Sequence, residues 1–520
     1  MASTPVPRQA AGAKKLAGYA GVATAGLALG LTELAAGLSS GVPSAVSAVG
    51  AYLIDIAPTP VKDFAIQTFG TADKGALGIG TVLISLVLGF FVGRAALKRS
   101  WVGMAAFAAL AVVGIAAAFG EPSYEPAITL IAIAGSAGIA GFVLNRLLAR
   151  IATAPAPVPT DGVPGDGGRR RFIAGTVGVG AAAALSGFAG RSLVIRRSEE
   201  VRTNIALPAA ADPVAAPSAA ASFSVDGLTP ILVPNDNFYR IDTAIVVPRP
   251  DVESWSLRFT GMVDNPFELT YADLLAMPLV EEYVTLSCVS NEVGGGLVGN
   301  ASWLGVPLAD LLERAGVQSG ADQLVGRAVD DFTVGFPTEI ALDGRQALVA
   351  VGMNGEPLPP VHGFPARLVV PGLYGYVSAT KWLSEIELTT WDAFDAYWVP
   401  RGWAKEGPIK TQSRIDVPGD GATVSGAPLV IAGVAWAPTR EIAAVEVRID
   451  DGEWMQAELT EPLSDASWVQ WMVTTNLDPG SAHTCQVRAT DGTGETQTEM
   501  RTPVAPDGAS GWHTIEFRTA

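Results

Sequence analysis

The sequence contains little cysteine, histidine or charge, and each shortage excludes a class of protein. Its 520 residues include two cysteines and three histidines, with no CxxC pair and no CxxCH motif. A disulfide framework and a cysteine-rich zinc module are therefore excluded. Charged residues make up 16% of the chain, whereas a soluble domain carries about 25%, so we expect part of the chain to lie in a membrane. The net charge of −17 argues against a nucleic-acid partner, because phosphate binding needs a basic surface.

Long apolar runs with few charges occupy the first 200 residues. Runs near the roughly 20 residues that cross a bilayer predict transmembrane helices, and we place five at about 16–38, 76–97, 101–120, 126–148 and 172–193. The segment 41–58 is apolar but short and bounded by proline, which favours an interfacial or re-entrant segment. Most lysine and arginine clusters fall on one side of these spans if the N-terminus is cytoplasmic. The chain after the fifth span would then lie outside the cytoplasm, at the surface of the cell membrane.

The fifth span begins with a second possible signal, GRRRFIAG at residues 168–175. Twin arginines before an apolar segment are typical of a twin-arginine export signal. The same residues also suit an ordinary membrane anchor with its positive charges inside. Both interpretations of residues 172–193 stay open. No small-residue cleavage site directly follows the segment, so we expect it to remain as an anchor.

Composition predicts four regions along the chain. Residues 1–197 form the membrane region, and the Pro/Ala-rich residues 198–224 form a linker. Short strand-like and helix-like runs, such as WSLRFTGMV, YADLLAMP and PLADLLERAG, predict an α+β domain over 225–410. From 411 to 520, runs such as PLVIAGVAWAP and HTCQVRAT are separated by turn residues, which predicts an all-β, immunoglobulin-like sandwich.

The run VTLSCVSNEVGGG, residues 284–296, places Cys288 after a β-prone stretch and before a glycine cluster. Glycine beyond a strand lets the backbone approach a ligand closely. From its own residues, Cys288 could be a buried thiol, a disulfide partner of Cys485, or a functional thiol. We regard a buried thiol as the simpler interpretation of Cys485, which lies inside a strand-like run.

Residues 361–383, VHGFPARLVVPGLYGYVSATKWL, combine cations, hydroxyl groups and glycines. These are the groups that hold a phosphate, because arginine binds it with two nitrogens and glycine frees backbone N–H groups. The candidates are His362, Arg367, Ser378, Thr380 and Lys381. In an earlier segment, PNDNFYRIDTAIVVP, Arg240 could simply form a salt bridge with Asp242.

Taken in order, these motifs resemble the sulfite oxidase family of molybdenum enzymes over about 225–520. The matching segments are FYRIDTAIVVP, WSLRFTGMVDNP, TLSCVSNEVGG, SWLGVPLADLLERAGV, HGFPARLVVPG, TKWL and GVAWAP. The resemblance implies an oxidoreductase with molybdopterin, in which Cys288 is the catalytic thiolate ligand of molybdenum. It also implies cofactor-binding roles for a further set of residues: Tyr239, Arg240, His362, Arg367, Ser378, Thr380 and Lys381.

Departures from the family pattern bear on the substrate. Sulfite oxidases follow the cysteine with a basic pair, where this chain has Glu292 and Val293. Their tyrosine near the metal corresponds to Trp403, in the segment YWVPRGWAKEG, and Arg401 is a further possible pocket residue. Since an anion needs compensating positive charge in a dry pocket, we expect oxygen-atom transfer on a small substrate other than sulfite. Two alternatives remain, namely a true sulfite oxidase with an altered anion pocket and a non-catalytic binding protein on the same fold.

A molybdenum oxidoreductase needs a partner with which it exchanges electrons. No histidine precedes His362, so the predicted spans cannot supply two histidine ligands to a haem, and we expect no haem in the chain. A separate carrier, a cytochrome or a quinone, is therefore the expected electron partner. The resemblance also allows a homodimer, because the C-terminal β domain is similar to one that mediates dimers in the family.

Overall fold

The computed structural model describes residues 7–56, 73–119, 121, 124–152, 167–244, 246–425 and 428–520. The chain divides into a helical unit, residues 1–201 with 244–247, and a larger unit that contains all other residues. The predicted interfacial segment 41–58 contains a short helix, and its last two residues lie outside the described ranges.

Six helices make up the described part of the N-terminal unit. They are α1 (Pro7–Leu38), α2 (Ala45–Ile56), α3 (Asp73–Ala96), α4 (Trp101–Ala118), α5 (Pro126–Ala152) and α6 (Gly167–Asn204). All except α2 are long and apolar enough to cross a membrane, in agreement with the five predicted spans. Helix α6 continues to Asn204, beyond the predicted end of its span at 193.

Close packing in the N-terminal unit depends on small residues. A Cβ atom at Gly21 of α1 would overlap the carbonyl oxygen of Gly89 in α3, so only glycine permits this approach. Small residues at helix contacts are typical of membrane bundles, where van der Waals packing holds helices together. Inside α1, the carboxylate of Glu33 accepts hydrogen bonds from Ser44 Oγ (2.7 Å) and the Val46 N–H (3.3 Å). This ionisable residue therefore ties α1 to the start of α2.

The first part of the larger unit is an α+β fold with two sheets. Its strands are β1 (Ser256–Gly261), β2 (Phe267–Thr270), β3 (Val280–Ser287), β4 (Val298–Pro307), β5 (Gln323–Ala328), β6 (Thr333–Pro337), β7 (Leu348–Met353), β8 (Glu356–Pro357), β9 (Arg367–Val369) and β10 (Leu383–Thr389). One sheet has the order β2-β1-β10-β5-β6, and the other has the order β3-β4-β7-β8 with β9 beside β7. Nearly every residue of β4 and β7 is buried, so these strands lie at the centre of the core.

Both short helices predicted in this part are present. They are α7 (Tyr271–Ala276) and α8 (Leu308–Ala315), and a further single-turn helix, α9, spans Gly375–Ser378. Helix α7 begins with a capping box, in which Thr270 Oγ1 accepts the Asp273 N–H and the Asp273 carboxylate accepts the Thr270 N–H. Helix α8 ends at Gly316, whose φ of 68° is the left-handed conformation that glycine adopts without cost.

The C-terminal part is built from two sheets around one core. Its strands are β11 (Gln412–Val417), β12 (Thr423–Val424), β13 (Leu429–Trp436), β14 (Ile442–Ile449), β15 (Met455–Gln456), β16 (Glu458–Leu459), β17 (Val469–Thr475), β18 (Ala482–Asp491) and β19 (His513–Thr519). The sheets have the orders β11-β13-β17-β16 and β12-β19-β18-β14-β15, and residues of both form one buried cluster. The strand-like runs in this region are therefore confirmed as strands. Cys485 lies fully buried in this cluster as a free thiol, and burial raises its pKa to about 12.

The segment predicted as a linker, 198–224, begins as the last turns of α6 and continues as extended chain. The extended part hydrogen-bonds to the edge of β3, where the Ala211 N–H donates to Leu279 O (2.7 Å) and the Glu281 N–H donates to Asp212 O (3.0 Å). Tyr283 Oη donates to Ala215 O (3.1 Å). This stretch is therefore attached along the sheet rather than free in solution.

A buried carboxylate fixes one end of the C-terminal part. Asp491 is fully buried and accepts hydrogen bonds from Thr411 Oγ1 (2.8 Å), Arg440 Nε (2.9 Å) and Thr493 Oγ1 (2.6 Å). Burial alone raises the pKa of Asp491, but these hydrogen bonds outweigh it and hold the pKa well below its ordinary value. Since the folded state favours the charged form, this stabilisation is present above the unfolded pKa of about 3.9 and is lost as the pH falls below it.

We expect Asp491→Asn to reduce the free energy of unfolding at pH 7 by about 2 kcal/mol, because hydrogen bonds to a charged group are lost. The difference from the native protein should narrow as the pH falls from about 5 to 3, because the unfolded chain takes up a proton at Asp491 in this range while the folded protein keeps the carboxylate charged. Urea unfolding in detergent across this pH range measures the effect, with the exposed Asp451→Asn as the control. A difference that stays constant from pH 7 to pH 3 would contradict this explanation.

Candidate active site

The thiol of Cys288 stands at the end of a buried strand. Strand β3 pairs with β4 along the whole length of β3, and residues 288–297 form the loop between the two strands. The Cys288 N–H donates to Leu297 O (2.9 Å), which closes this loop, and Sγ accepts from the Ser290 N–H (3.4 Å). The side chain is buried and unpaired by any disulfide. Burial raises the pKa of the Cys288 thiol, partly offset by Ser290 and by the charge of Lys381.

A cavity of about 110 Å³ opens beside this thiol. The predicted site residues that line it are Tyr239, Cys288, Arg367, Lys381 and Trp403. They come from four separate segments of the chain, which the fold of the larger unit brings together. The structure therefore gathers the cysteine, both cations of the 361–383 cluster and two aromatic residues around one space.

Both cations of the cavity are buried. The guanidinium of Arg367 lies over the Trp303 ring (4.9 Å) and donates to His362 O (3.1 Å), whereas Lys381 Nζ donates to Asp242 Oδ2 (3.2 Å) and Val361 O (3.1 Å). Burial lowers the pKa of Arg367 to about 10 and that of Lys381 to about 8. Their desolvation costs free energy that a bound anion would offset.

His362 lies behind these cations. Its Nε2 is 2.9 Å from Asn235 O, and since a carbonyl only accepts, Nε2 carries the proton. Burial lowers the pKa of His362 to about 4, so the ring is neutral at pH 7. Its Nδ1 is buried without a hydrogen-bond partner. His362 does not line the cavity, so the buried cations Arg367 and Lys381 are the residues whose position there fits an anionic cofactor.

The other predicted residues do not line this cavity. Arg240 is exposed and pairs with Asp242 (2.8 Å), as the simpler interpretation of that segment predicts. Ser378 Oγ donates within its own helix to Tyr374 O (3.1 Å), and the buried Thr380 Oγ1 lies against β5 at Gly326.

Two residues proposed for the substrate pocket also lie elsewhere. Glu292 is exposed and lines a separate pocket that includes Arg501. Arg401 is exposed and stacks on the Tyr397 ring (3.6 Å). Of the three residues proposed for this pocket, only Trp403 lines the cavity.

Several residues that line the cavity were not predicted as site residues from the sequence. Asp330 and Phe332 reach the cavity from the β5–β6 turn, and Trp398 and Tyr376 lie against Trp403. Burial raises the pKa of Asp330 to about 6, the Phe332 N–H opposes that shift, and the nearby Asp242 charge adds to it. The acidic pair at residues 330–331, in a turn between two apolar strands, was the available signal for this site.

Comparison with known proteins identifies the family of the chain. The family described as "Oxidoreductase molybdopterin binding domain" matches residues 244–398. The uncharacterized oxidoreductase YuiH of Bacillus subtilis is 35% identical over 178 residues, which cover 34% of this chain and 86% of that protein. Mitochondrial sulfite oxidase of Rattus norvegicus is 29% identical over 289 residues, covering 46% of this chain and 52% of that protein. The solved sulfane dehydrogenase SoxCD of Paracoccus pantotrophus has 26% identity and a TM-score of 0.46, over 54% of this chain and 80% of that one.

Residues 244–398 thus form an oxidoreductase domain of the molybdopterin-binding type, and the relatives imply molybdopterin with molybdenum as its cofactor. The chain belongs to the sulfite oxidase family of molybdopterin-dependent oxidoreductases. It spans 35% of the length of the nitrate reductase of Solanum lycopersicum that it also matches, and 52% of the rat sulfite oxidase.

Proposed function

We propose that this protein is a membrane-anchored oxidoreductase that transfers an oxygen atom to or from a small substrate outside the cytoplasm. The molybdenum centre supplies the two-electron chemistry when the cofactor is bound. Cys288 provides the thiolate ligand, because its thiol is the one buried sulfur that lines the cavity among the described residues. Arg367 and Lys381 offset the negative charge of the cofactor. His362 and Tyr239 complete its surroundings, and Arg240, Ser378 and Thr380 support it from behind.

The lining of the cavity carries the proposal about the substrate. Its cations among the described residues are Arg367 and Lys381, and Lys381 is already paired with Asp242. Trp398, Trp403 and other aromatic side chains form much of the remaining wall, together with the carboxylate of Asp330. A carboxylate repels an anion and offers it no hydrogen bond when charged. We therefore favour a substrate without net negative charge, such as a sulfoxide or an N-oxide, over sulfite.

The membrane assignment rests on the five long apolar helices and on the distribution of charge. Lys14 and Lys15 precede the first helix, and basic clusters at residues 94–99, 146–150 and 169–171 fall on the same side of the predicted spans. The catalytic residues would then lie outside the cytoplasm, and a separate cytochrome or quinone would exchange electrons with them. We further assign residues 225–410 to the cofactor-binding domain and 411–520 to an immunoglobulin-like domain that is able to form a homodimer.

A substrate screen on the full chain tests this function. Protein purified in detergent from cells that make the cofactor should contain molybdenum and pterin. It should oxidise a reduced viologen dye with dimethyl sulfoxide, methionine sulfoxide or trimethylamine N-oxide, and sulfite should leave the electron paramagnetic resonance signal of molybdenum unchanged. Turnover with sulfite alone would show a true sulfite oxidase. Protein without molybdenum or pterin would favour a non-catalytic binding role.

A further inference from the structure

Part of the cavity wall is aromatic, in contrast to the cations Arg367 and Lys381. We call this part the aromatic corner and define it as Tyr376, Trp398 and Trp403. The Trp398 and Trp403 ring centroids are 6.2 Å apart with planes at 75°, and Tyr376 and Trp403 are 5.9 Å apart at 51°. All three residues line the cavity.

The aromatic corner is held in place by the backbone. One helical turn, Val399–Arg401, joins the two tryptophans, and Gly402 after it has a φ of 94°. The Trp403 N–H donates to Trp398 O (3.3 Å), which closes this turn. Tyr376 Oη donates to Ala404 O (2.9 Å), so its hydroxyl is committed to the protein while the ring borders the cavity. The corner is therefore assembled before any ligand arrives.

A carboxylate completes the same space. Asp330 lines the cavity from the β5–β6 turn, and its Oδ1 accepts only a long hydrogen bond from the Phe332 N–H (3.4 Å) among the described contacts. The cation nearest to it along the chain, Arg327, is paired with Glu387 and stacks on Phe394. Because the pKa of Asp330 is raised only to about 6, the group is largely charged at neutral pH.

We infer that the aromatic corner and Asp330 bind an alkylammonium group carried by the substrate. Electron-rich ring faces attract an ammonium ion with apolar substituents, and a desolvated carboxylate adds a direct charge interaction. A sulfite or nitrate ion gains from neither contact. This inference rests on the proposed function and narrows its substrate to small molecules that carry a methylated or protonated amine beside the reacting atom.

Tetramethylammonium tests this site without turnover. Calorimetric titration of the full-length, cofactor-loaded protein in detergent should show binding of tetramethylammonium chloride at least about 10-fold tighter than binding of tert-butanol, its nearly isosteric neutral analogue. Asp330→Asn and Trp403→Leu should each weaken the tetramethylammonium interaction by about 10-fold. Asp331→Asn is the matched control, because Asp331 is the exposed neighbour in the same turn and does not line the cavity.

Equal binding of the two probes, or unchanged binding in Asp330→Asn, would overturn the inference. If Asp330→Asn does not fold, competition in the native protein decides, because tetramethylammonium should raise the KM for an oxide substrate and leave kcat unchanged. Oxide turnover that is insensitive to tetramethylammonium would refute the ammonium site and leave the proposed function standing. Tight tetramethylammonium binding without turnover of any oxide would support the ammonium site and refute the proposed function.

Discussion

Cys288→Ser should fold normally and lose more than about 100-fold of its oxide-reducing activity, since even residues that merely support a metal ligand are typically worth 10–100-fold. A serine hydroxyl does not ionise at neutral pH, so it cannot replace the thiolate as a soft ligand. The volume of the side chain hardly changes, and the loop is closed by backbone atoms of Cys288, which serine keeps. Viologen oxidation, molybdenum and pterin content, and the paramagnetic resonance spectrum measure the effect.

The second cysteine provides the matched control for this variant. Cys485 is a free, fully buried thiol in β18, and it does not line the cavity. Cys485→Ala should therefore cost some stability through a small void, while the molybdenum content and kcat remain at their native values. Native turnover in Cys288→Ser would show that the thiol has no part in the reaction. A loss of turnover in both variants would point to general damage to the fold.

Regular structure follows closely from the sequence pattern in this protein. Strand β14 alternates buried and partly exposed residues at Val445, Glu446 and Val447, which is the period of a strand with one face on a core. The capping box at Thr270 and the glycine after α8 mark helix boundaries that local chemistry alone determines. Such signals lie within a few residues of the structure they specify, so sequence analysis finds them.

The cavity is harder to predict, because it depends on segments far apart in sequence. Asp330 and Trp403 line one cavity, although 73 positions separate them in the sequence, because the fold brings the β5–β6 turn and the turn that carries the tryptophans to the same space. The position of Glu292 also depends on residues that are distant in sequence, because the loop after Cys288 contacts the C-terminal part. Arg414 Nη1 donates to Gly295 O (3.0 Å) in that loop. Spacing along the chain contains no information about either arrangement.

Gly294→Ala should be strongly destabilising, by about 3 kcal/mol, because it combines backbone strain with steric overlap. Gly294 has a φ of 80°, a conformation that alanine adopts only at a cost. A Cβ atom there would overlap the ring of His513 in β19. That ring cannot simply swing away, since its Nδ1 accepts the Ile415 N–H (2.9 Å). The loop carrying Cys288 must therefore move, and turnover should fall together with stability.

Gly296→Ala is the matched control in the same loop, because its φ is not left-handed and a Cβ atom there meets open space. It should melt and turn over like the native protein. In the double variant Gly294→Ala/His513→Ala the overlap is gone and the strain at φ remains, so part of the lost stability should return. Thermal unfolding and viologen turnover of the native protein and the three variants separate the effect of the steric overlap from that of the backbone strain. Native stability in Gly294→Ala would mean that the C-terminal part does not hold the cysteine loop in place.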